Sequence, residues 1–466
     1  MPHTFDTFGT TPSLIKATTI KQVYPVTLGC AKNRIDTEIM LASLEAAGWQ
    51  ITSDPQQADL LLVNTCGFIA SASQEAIDTI LELAAHKQGR AGVRLIVTGC
   101  LVQRYGADLP SLLPEVDLFL GVNAFPEIAA WVSTAALPAS RLVAPSTWLD
   151  YGQVYPRRLT TPFFSAYLKI AEGCSHRCTY CTIPAIRGPY RSRPLATLLA
   201  EARDLVARGV VEINLVAQDT TAYGQDLAGR SLLPDLLAQV AELPGVQWLR
   251  VLYGHPLGIT PELLQVMRAH PNICPYFDLP FQHVSDHLLR RMGRGYSQAL
   301  IRELIARIRA ALPQATLRTS LIVGFPGETP ADLAELQQVL TELALDHVGV
   351  FAFQPEEGTP AARFAGQVGS AEANRRARQV RTLQAKISRQ KLRRLKNQVV
   401  EVLVEGHCDE TDLLLQGRLA SQAPEVDGRV LITAGQGQPG TIQPVRITKT
   451  YTYDLVGELL PTASPD

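Results

Sequence analysis

The chain has 466 residues, more than one hydrophobic core usually organises, which predicts about two to four domains. Hydrophobic residues make up 46% and charged residues 19%, a globular balance that excludes a disordered or collagen-like chain. The 43 Lys and Arg nearly balance the 44 Asp and Glu, so no overall basic charge indicates a nucleic-acid partner. No apolar run reaches the roughly 18 residues of a membrane span, and residues 1–20 lack a secretory signal, so we expect a cytoplasmic protein with no membrane partner.

Residues 21–137 alternate short apolar runs with amphipathic stretches. QVYPVTLG, DLLLVNT and VRLIVTG are typical of buried strands, whereas DTEIMLASLEAAGW and SASQEAIDTILELAAHK have helical spacing. This alternation predicts an N-terminal α/β domain with an open parallel sheet. We interpret residues 1–20 as a loose tail and residues 138–162, which hold few periodic signals and several Pro and Ser, as a linker.

Residues 163–394 contain a second, longer βα series. Its predicted strands are SAYLKIA, VEINLVA, VQWLRVLY, YFDLPF, TLRTSLIVG and HVGVFAF. Six strands predict an open (βα)6 barrel rather than a complete eight-fold one. The series closes with a predicted helix from Ala373 to Lys396 that carries ten Lys or Arg. Residues 395–461 then switch to short strands separated by Gly, Asp and Pro, which predict a small antiparallel β-barrel.

The strongest local signal is GCSHRCTYC, in which Cys174, Cys178 and Cys181 follow the first strand of the predicted βα barrel. A structural zinc site normally has four protein ligands, and His176 is an awkward fourth because it lies inside the motif. Three thiolates on a cubane iron–sulfur cluster instead leave one iron open to bind a substrate. Three core thiols are the alternative, although a polar loop flanked by Gly makes a poor core.

Three further cysteines end the three predicted strands of the N-terminal sheet: Cys30 in LGC, Cys66 in NTC and Cys100 in TGC. In an open parallel sheet, ligands bind in the crevice beyond the carboxyl ends of the strands. We therefore expect these thiols to converge on a second metal or cluster site, although any one of them alone would indicate packing. Cys274 and Cys408 fit neither set and are expected to be structural.

Longer motifs extend over nearly the whole chain, from Val26 to Leu460. They are LGCAKNRIDTEIM, NTCGFI, VTGC, KIAEGCSHRCTYCTIPAIRGPYRSR, FDLPFQHVSDHLLRRMGR and TSLIVGFPGET. With them the chain resembles the methylthiotransferase family of radical S-adenosylmethionine enzymes, and its C-terminal barrel looks like a TRAM domain. The resemblance implies two 4Fe-4S clusters, one on each cysteine set. It also implies two molecules of S-adenosylmethionine per turnover, one cleaved to a 5′-deoxyadenosyl radical and one donating a methyl group.

The candidates for contacts with S-adenosylmethionine are Tyr180, Gln218, Asp219, Arg318, Gly324 and Phe353. Tyr180 stands where the superfamily usually carries an aromatic residue near the adenine, and the polar pair after the second barrel strand suits the methionyl amino group. Arg318 suits the methionyl carboxylate, Gly324 would admit the nucleoside, and Phe353 would flank the adenine. The alternative for Tyr180 is a core aromatic residue, and the alternative for Arg318 is a buried ion pair. The other four residues could instead serve barrel packing or the requirements of a turn. No catalytic side chain is predicted beyond the cluster ligands.

Members of the family differ in their substrate, which is either an adenosine of tRNA or the β-carbon of one aspartate in small-subunit ribosomal protein S-twelve. LVAQDTTAYGQD, NTCGFI followed by SASQEAI, and APEVDG resemble the ribosomal type. The charge agrees, because residues 395–460 hold five Lys or Arg against nine Asp or Glu, which suits a basic protein better than tRNA. The tRNA type is the alternative, and the basic helix leaves a contact with ribosomal RNA open. A non-enzymatic cluster carrier would not need such a barrel.

The implied chemistry sets a geometric expectation. A carbon radical must meet its sulfur source before it is quenched, so the two cysteine sets must face each other across the domain boundary. The N-terminal domain is therefore predicted to cap the carboxyl ends of the barrel strands. The reaction also implies an electron donor and a sulfur source as partners, and a monomer is the default expectation.

Overall fold

The computed structural model describes residues 20–134, 137–143, 152–408 and 410–461. Apart from Ile20, the predicted tail at residues 1–20 lies outside these ranges, and so does part of the predicted linker at residues 138–162. In the described part, no helix is long and apolar enough to cross a membrane.

The N-terminal part of the chain forms a six-stranded sheet in which every strand pair is parallel. In chain order the strands are β1 (Gln22–Thr27), β2 (Gln50–Ile51), β3 (Leu60–Thr65), β4 (Arg94–Gly99), β5 (Leu118–Leu120) and β6 (Leu142–Val143). The sheet order is β2-β1-β3-β4-β5-β6, so the three predicted strands are the central ones. The helices are α1 (Ala31–Ala46), α2 (Ala70–Lys87), α3 (Cys100–Tyr105), α4 (Leu109–Leu112) and α5 (Ile128–Ser133). The predicted open parallel α/β sheet is confirmed.

All six predicted strands of the βα barrel are present, together with a separate short antiparallel pair, β8 and β9. The strands are β7 (Ser165–Lys169), β8 (Ala171–Glu172), β9 (Arg191–Ser192), β10 (Glu212–Val216), β11 (Trp248–Val251), β12 (Tyr276–Asp278), β13 (Thr316–Val323) and β14 (His347–Ala352). The six barrel strands form two parallel sheets, β11-β10-β7 and β12-β13-β14, joined by a bridge between Leu249 and Ile273. No ladder joins β7 to β14 in the described residues, so the barrel is open as predicted.

The helices of this part of the chain are α6 (Ile183–Arg187), α7 (Leu195–Ala207), α8 (Gln225–Ala228), α9 (Leu233–Ala241), α10 (Pro261–Ala269), α11 (Asp286–Arg291), α12 (Gln298–Ala311), α13 (Pro330–Leu343) and α14 (Ser370–Leu392). The apolar faces of α7 and of α9 through α14 share one core with the barrel strands, whereas Ile186 of α6 packs beside Cys100 of the N-terminal part. The predicted basic helix corresponds to α14, which begins at Ser370.

The C-terminal part is a closed five-stranded barrel with its own apolar core. Its strands are β15 (Val399–Cys408), β16 (Thr411–Arg418), β17 (Val430–Ala434), β18 (Ile442–Thr450) and β19 (Leu455–Leu459). The prediction of an antiparallel barrel needs one correction, because β17 and β19 pair in parallel. β19 lies between β17 and β18, and this placement closes the barrel.

A buried carboxylate joins the C-terminal barrel to the βα barrel. Glu212 is fully buried and accepts hydrogen bonds from Arg418 at 2.7 and 3.0 Å, from Arg250 at 3.2 Å and from Ser165 at 2.6 Å. Burial alone would raise the pKa of Glu212, but the guanidinium groups of Arg418 and then Arg250 outweigh it and lower the pKa to about 2. The domain junction therefore depends on Glu212 being ionised.

This junction predicts an acid-sensitive contribution to stability. Because the pKa of Glu212 falls from its ordinary 4.5 to about 2 on folding, its contribution is complete above about pH 4.5 and is lost as the pH falls toward 2. We expect Glu212→Gln to lower the free energy of unfolding by roughly 3 kcal/mol at neutral pH, since it leaves two buried guanidinium groups short of charge. Thermal unfolding midpoints of the native protein and the variant should differ at pH 6 and should converge as the pH is lowered to about 2.5. A difference that persists unchanged at the acid end would contradict this account.

Candidate active site

One cavity of about 400 Å³ lies between the N-terminal sheet and the βα barrel. Its lining includes Cys30, Cys66, Cys100, Cys174, Cys178 and Cys181. The two remaining cysteines, Cys274 and Cys408, are buried elsewhere. A volume of this size is within the usual range of small-molecule sites. The two cysteine sets face each other across the domain boundary, as expected from the sequence.

The first three of these cysteines converge because their strands are neighbours. Cys66 and Cys100 directly follow β3 and β4, and Cys30 lies three residues beyond β1. Gly29 makes the approach possible, because a Cβ on this residue would lie 2.9 Å from the Cβ of Cys66. Its φ of +94° is also a conformation that side chains disfavour. The carboxyl edge of the sheet therefore presents three thiols together.

The second set lies on the loop between β8 and α6. The N–H of Cys174 donates to the carbonyl of Gly188 at 3.0 Å, and the N–H of Cys181 donates to the carbonyl of Cys178 at 3.2 Å. Gly173, with φ +80°, opens the loop, and a Cβ there would collide with the carbonyl of Pro189. The antiparallel pairing of β8 with β9 joins the two ends of the segment that carries the motif, and this pairing restrains its position.

Burial raises the pKa of thiols in both sets. Burial, with a smaller contribution from its neighbour Cys30, raises the pKa of Cys100 to about 11. Burial and the neighbouring thiol of Cys178 raise the pKa of Cys181 to about 12. The raised pKa values favour the protonated forms of Cys100 and Cys181 at neutral pH. A bound metal would supply the positive charge that favours their deprotonation.

The donor set fits a cluster better than a single ion. No group of three His, Cys, Asp or Glu in the described ranges is placed to hold one metal ion. A cubane cluster takes each thiolate on a separate iron, so its ligands are spread more widely. His176 does not add a fourth ligand, because it is engaged elsewhere. Its Nε2 is hydrogen-bonded to Asp219 Oδ2 at 2.6 Å, and its ring stacks on that of His255 with the ring centroids 4.3 Å apart. Each set therefore offers three thiols.

One arginine is directed at a thiol of each set. Arg187 Nη2 lies 3.3 Å from Cys100 Sγ, and Arg294 Nη1 lies 3.1 Å from Cys178 Sγ. Both guanidinium groups are buried, and Arg294 also donates to the hydroxyl of Tyr296 at 2.8 Å. Hydrogen bonds of this kind favour the thiolate form and influence the properties of a metal bound to it.

Arg187 also belongs to the ion-pair network that joins the two domains. Its Nη1 contacts Asp36 of α1 at 3.0 Å and Glu172 of β8 at 3.1 Å. Lys169 of β7 contacts the same carboxylates at 2.5 and 3.0 Å. All four side chains are nearly inaccessible to solvent, so charge pairing fixes the N-terminal domain against the barrel mouth.

Three of the predicted cofactor contacts line the cavity: Tyr180, Gln218 and Asp219. The amide nitrogen of Gln218 donates to Glu172 at 2.5 Å, while its Oε1 is buried without a hydrogen-bond partner among the described residues. Asp219 accepts hydrogen bonds from the backbone and hydroxyl of Thr221 at 3.0 and 2.6 Å. These neighbours hold the polar pair at the carboxyl end of β10.

The structure places the other three predicted contacts away from the cavity lining. Phe353 is buried against Phe325, with ring centroids 5.1 Å apart. Gly324 permits the close approach of helix α14, because a Cβ there would collide with Ala373. Arg318 contacts Asp427 of the C-terminal domain at 2.7 Å and lines a smaller neighbouring pocket. The ion pair that competed with a cofactor role for Arg318 is therefore present.

This placement gives Arg318→Gln a distinctive expected outcome. The substitution leaves the carboxylate of Asp427, which is 1% exposed, without its guanidinium partner, so we expect a loss of about 3 kcal/mol in stability. Affinity for the expected cofactor, S-adenosylmethionine, should change by less than about twofold, because Arg318 does not line the cavity, although its own pocket shares Cys30 and Tyr253 with it. Thermal unfolding and equilibrium binding measure the two effects, and Gln218→Ala provides the contrasting variant. A large loss of cofactor affinity in Arg318→Gln would contradict the assignment.

Sequence reasoning missed the cations of the cavity: Lys32, Arg187 and Arg294. Each lies within a motif quoted above, but Arg187 and Arg294 are 87 and 116 residues away from the thiols they contact. The signal in the sequence was a charged residue close to a cysteine motif or to a Gly-rich turn. Local spacing does not show which domain such a residue faces.

Comparison with known proteins follows the same division of the chain. Residues 22–121 match the uncharacterized protein family UPF0004, residues 168–340 the radical SAM superfamily, and residues 398–460 the TRAM domain. The ribosomal protein uS12 methylthiotransferase RimO of Geotalea uraniireducens is 48% identical, covering 96% of this chain and 100% of the relative. The same enzyme of Geobacter sulfurreducens is 47% identical over 94% of this chain and 99% of its own length. The chain belongs to the RimO family.

As a RimO family member, the chain is a methylthiotransferase of the radical S-adenosylmethionine class, which uses a 4Fe-4S cluster and S-adenosylmethionine. Among solved structures, the radical S-adenosylmethionine methyltransferase TsrM of Kitasatospora setae, with cobalamin and a 4Fe-4S cluster bound, is similar with a TM-score of 0.56. It is 17% identical and covers 73% of this chain and 77% of its own, so the likeness shows the fold alone.

Proposed function

We propose that this RimO family chain replaces one hydrogen on the β-carbon of an aspartate in uS12, the ribosomal protein S-twelve, with a methylthio group to give 3-methylthioaspartate. The observation that carries the proposal is the single cavity lined by both cysteine sets. Hydrogen removal and sulfur attachment at the same carbon require both cofactors within reach of one substrate atom. A cavity shared by two domains provides that arrangement.

The cysteines are the proposed ligands of two 4Fe-4S clusters, Cys174, Cys178 and Cys181 for one and Cys30, Cys66 and Cys100 for the other. When bound, the first supplies the electron that cleaves S-adenosylmethionine, and the second supplies a site for the sulfur that is transferred. The chain itself fixes the two sets opposite each other through the Asp36–Arg187 and Asp36–Lys169 pairs. We propose two molecules of S-adenosylmethionine per turnover.

Tyr180, Gln218 and Asp219 are the proposed contacts of S-adenosylmethionine. The unpartnered Oε1 of Gln218 supports this assignment, since it offers a buried acceptor to the methionyl ammonium. Asp219 adds negative charge on the same side. Burial alone would raise the pKa of Asp219, but its hydrogen bonds with His176 and Thr221 outweigh burial and lower the pKa. Tyr180 offers an aromatic wall beside Cys178.

The charge of the C-terminal barrel supports a protein substrate. Its solvent-exposed acids include Glu401, Glu410, Asp412, Glu425 and Glu458. Such a surface attracts a basic ribosomal protein and repels the phosphates of tRNA. The same two-cluster chemistry on a tRNA adenosine is the second candidate, and the basic face of α14 is the feature that favours it.

Other partners follow from the reaction. An electron donor must reduce the cluster, and a sulfur source must replenish the transferred atom. Exposed basic residues of α14, such as Arg378 and Lys386, are proposed to contact ribosomal RNA when uS12 is presented on the small subunit. We propose that the enzyme acts in the cytoplasm as a monomer.

The test offers two substrates at once. Anaerobically reconstituted enzyme with S-adenosylmethionine and a reductant is given recombinant uS12 and unmodified tRNA, and both are analysed by mass spectrometry. We expect one uS12 aspartate to gain a methylthio group in place of a hydrogen, and uS12 with Asn at that position to remain unmodified. Modification of tRNA alone would contradict the proposed substrate.

A further inference from the structure

Lys32 is a buried cation in the cavity with unused hydrogen-bonding capacity. It is the second residue of α1 and is 8% exposed. Its ammonium donates to the carbonyl of Ala217 at 3.3 Å and lies 3.8 Å from the ring centroid of Tyr253. In the described part of the chain, no Asp or Glu forms an ion pair with it. An ammonium has three donors, so two are left for a ligand.

The buried cations of the neighbouring ion-pair networks are neutralised by carboxylates. Lys169 and Arg187 share Asp36 and Glu172, and Arg157 pairs with Glu38 at 2.6 Å. Burial of a charged group is costly unless it is paired. Lys32 departs from this pattern, and Arg294, which also lacks a carboxylate partner in the described residues, is instead engaged by a thiol, a hydroxyl and a carbonyl. A site that receives an anionic ligand explains the departure.

The position of Lys32 favours one part of the cavity. Lys32 lies two residues after Cys30, and its ammonium reaches across the domain boundary to Ala217 and Tyr253 of the βα barrel. Beside the other cysteine set, Arg294 is already engaged by Cys178, Tyr296 and the carbonyl of Pro280. An anion held by Lys32 would therefore lie at the boundary between the two domains, in the cavity that both cysteine sets line.

Two residues of the cavity lining that are not Gly have a left-handed backbone conformation. Tyr253, whose ring the ammonium faces, has φ +61°, and Gln282, which also lines the cavity, has φ +71°. Such conformations cost energy in residues other than Gly and concentrate where a ligand must be positioned. The N–H of Tyr253 donates to Asp278 at 3.0 Å, which holds the ring beneath the ammonium.

We propose that Lys32 binds the carboxylate of the target aspartate. The assignment rests on the proposed function and specifies how the substrate is recognised. The side-chain carboxyl carbon of aspartate is bonded to the β-carbon that receives the methylthio group. A contact that holds the carboxylate in place therefore also positions the β-carbon. Charge-assisted hydrogen bonds from Lys32 then select aspartate over asparagine. The methionyl carboxylate of S-adenosylmethionine shares this chemistry and is the other source to distinguish.

A double-mutant cycle tests the contact. Peptides that carry the target region of uS12, with Asp or Asn at the target position, are titrated into reconstituted native enzyme and Lys32→Met without reductant, so that no reaction occurs. We expect Lys32→Met to weaken binding of the Asp peptide by about 10- to 100-fold and to leave binding of the Asn peptide nearly unchanged. Lys32→Arg should recover part of the loss, and exposed Lys21→Met serves as the matched control. Affinity for S-adenosylmethionine is measured on the same samples.

Three results would overturn the assignment. Equal losses for the Asp and Asn peptides would show that Lys32 is structural. A loss of affinity for S-adenosylmethionine, with peptide binding intact, would assign Lys32 to the methionyl carboxylate. If native enzyme bound neither peptide, the proposed function itself would fail, which differs from a failure of the variant alone.

Discussion

Replacing Cys178 with Ser is expected to abolish cleavage of S-adenosylmethionine, whereas Cys66→Ser should keep cleavage and abolish only methylthiolation. The reason is the division of the cavity into two thiol sets, one on the βα barrel and one on the N-terminal sheet. Each substitution should remove about four of about eight bound irons per chain, because it removes a proposed ligand of one of the two proposed clusters. Formation of 5′-deoxyadenosine should fall at least about a thousandfold in Cys178→Ser, since the reaction has no other electron path.

Cys274→Ala is the control for this experiment. Cys274 is buried in the barrel and does not line the cavity, so the variant should retain both iron content and both activities. Iron analysis, product chromatography and mass spectrometry of uS12 on the same preparations separate the two functions. Loss of 5′-deoxyadenosine formation in Cys66→Ser, with its other cluster intact, would contradict the division of roles.

Replacing Arg187 with Met is expected to destabilise the protein by about 3–5 kcal/mol, because it leaves buried carboxylates with too little positive charge. Arg187 contacts Asp36 at 3.0 Å and Glu172 at 3.1 Å, and it is 4% exposed. Only Lys169 would then balance these two carboxylates. Arg187→Lys should recover part of the stability but not the planar fork that also reaches Cys100.

A more exposed ion pair between two domains provides the comparison. Arg34 contacts Glu425 of the C-terminal barrel at 2.9 Å, but their side chains are 30% and 51% exposed. Arg34→Gln should therefore cost no more than about 1 kcal/mol. Thermal unfolding of the reconstituted variants measures the difference. Equal unfolding temperatures for Arg187→Met and Arg34→Gln would show that the buried network does not hold the domains together.

The strands that sequence predicted well are those with long apolar runs. LLLVNT in β3 is buried along its whole length, and such a run identifies an interior parallel strand. The short edge strands β2 and β6, of two residues each, carry no such pattern and were missed. The parallel pairing of β17 with β19 could not be predicted from the sequence either. It depends on the position of the last strand, which lies between β17 and β18 in the closed barrel.

The candidate site shows the same limit. Both cysteine sets line the cavity, and strand ends and a compact motif mark them in the sequence. Arg318 was assigned to the cofactor, but its partner Asp427 is 109 residues away and belongs to another domain. Gly324 was assigned to the nucleoside, but its open side meets α14. Contacts that form only when domains pack together have no local pattern in the sequence. The sequence therefore indicated the residues with distinctive chemistry better than it indicated which residues contact one another.

Anomalous diffraction at the iron edge, from crystals of the reconstituted enzyme, tests the central claim most directly. That claim is that one cavity between the N-terminal sheet and the βα barrel holds both clusters. We expect two iron sites in that cavity, one against Cys30, Cys66 and Cys100 and one against Cys174, Cys178 and Cys181. Iron against only one set, or a second cluster outside the cavity, would contradict it.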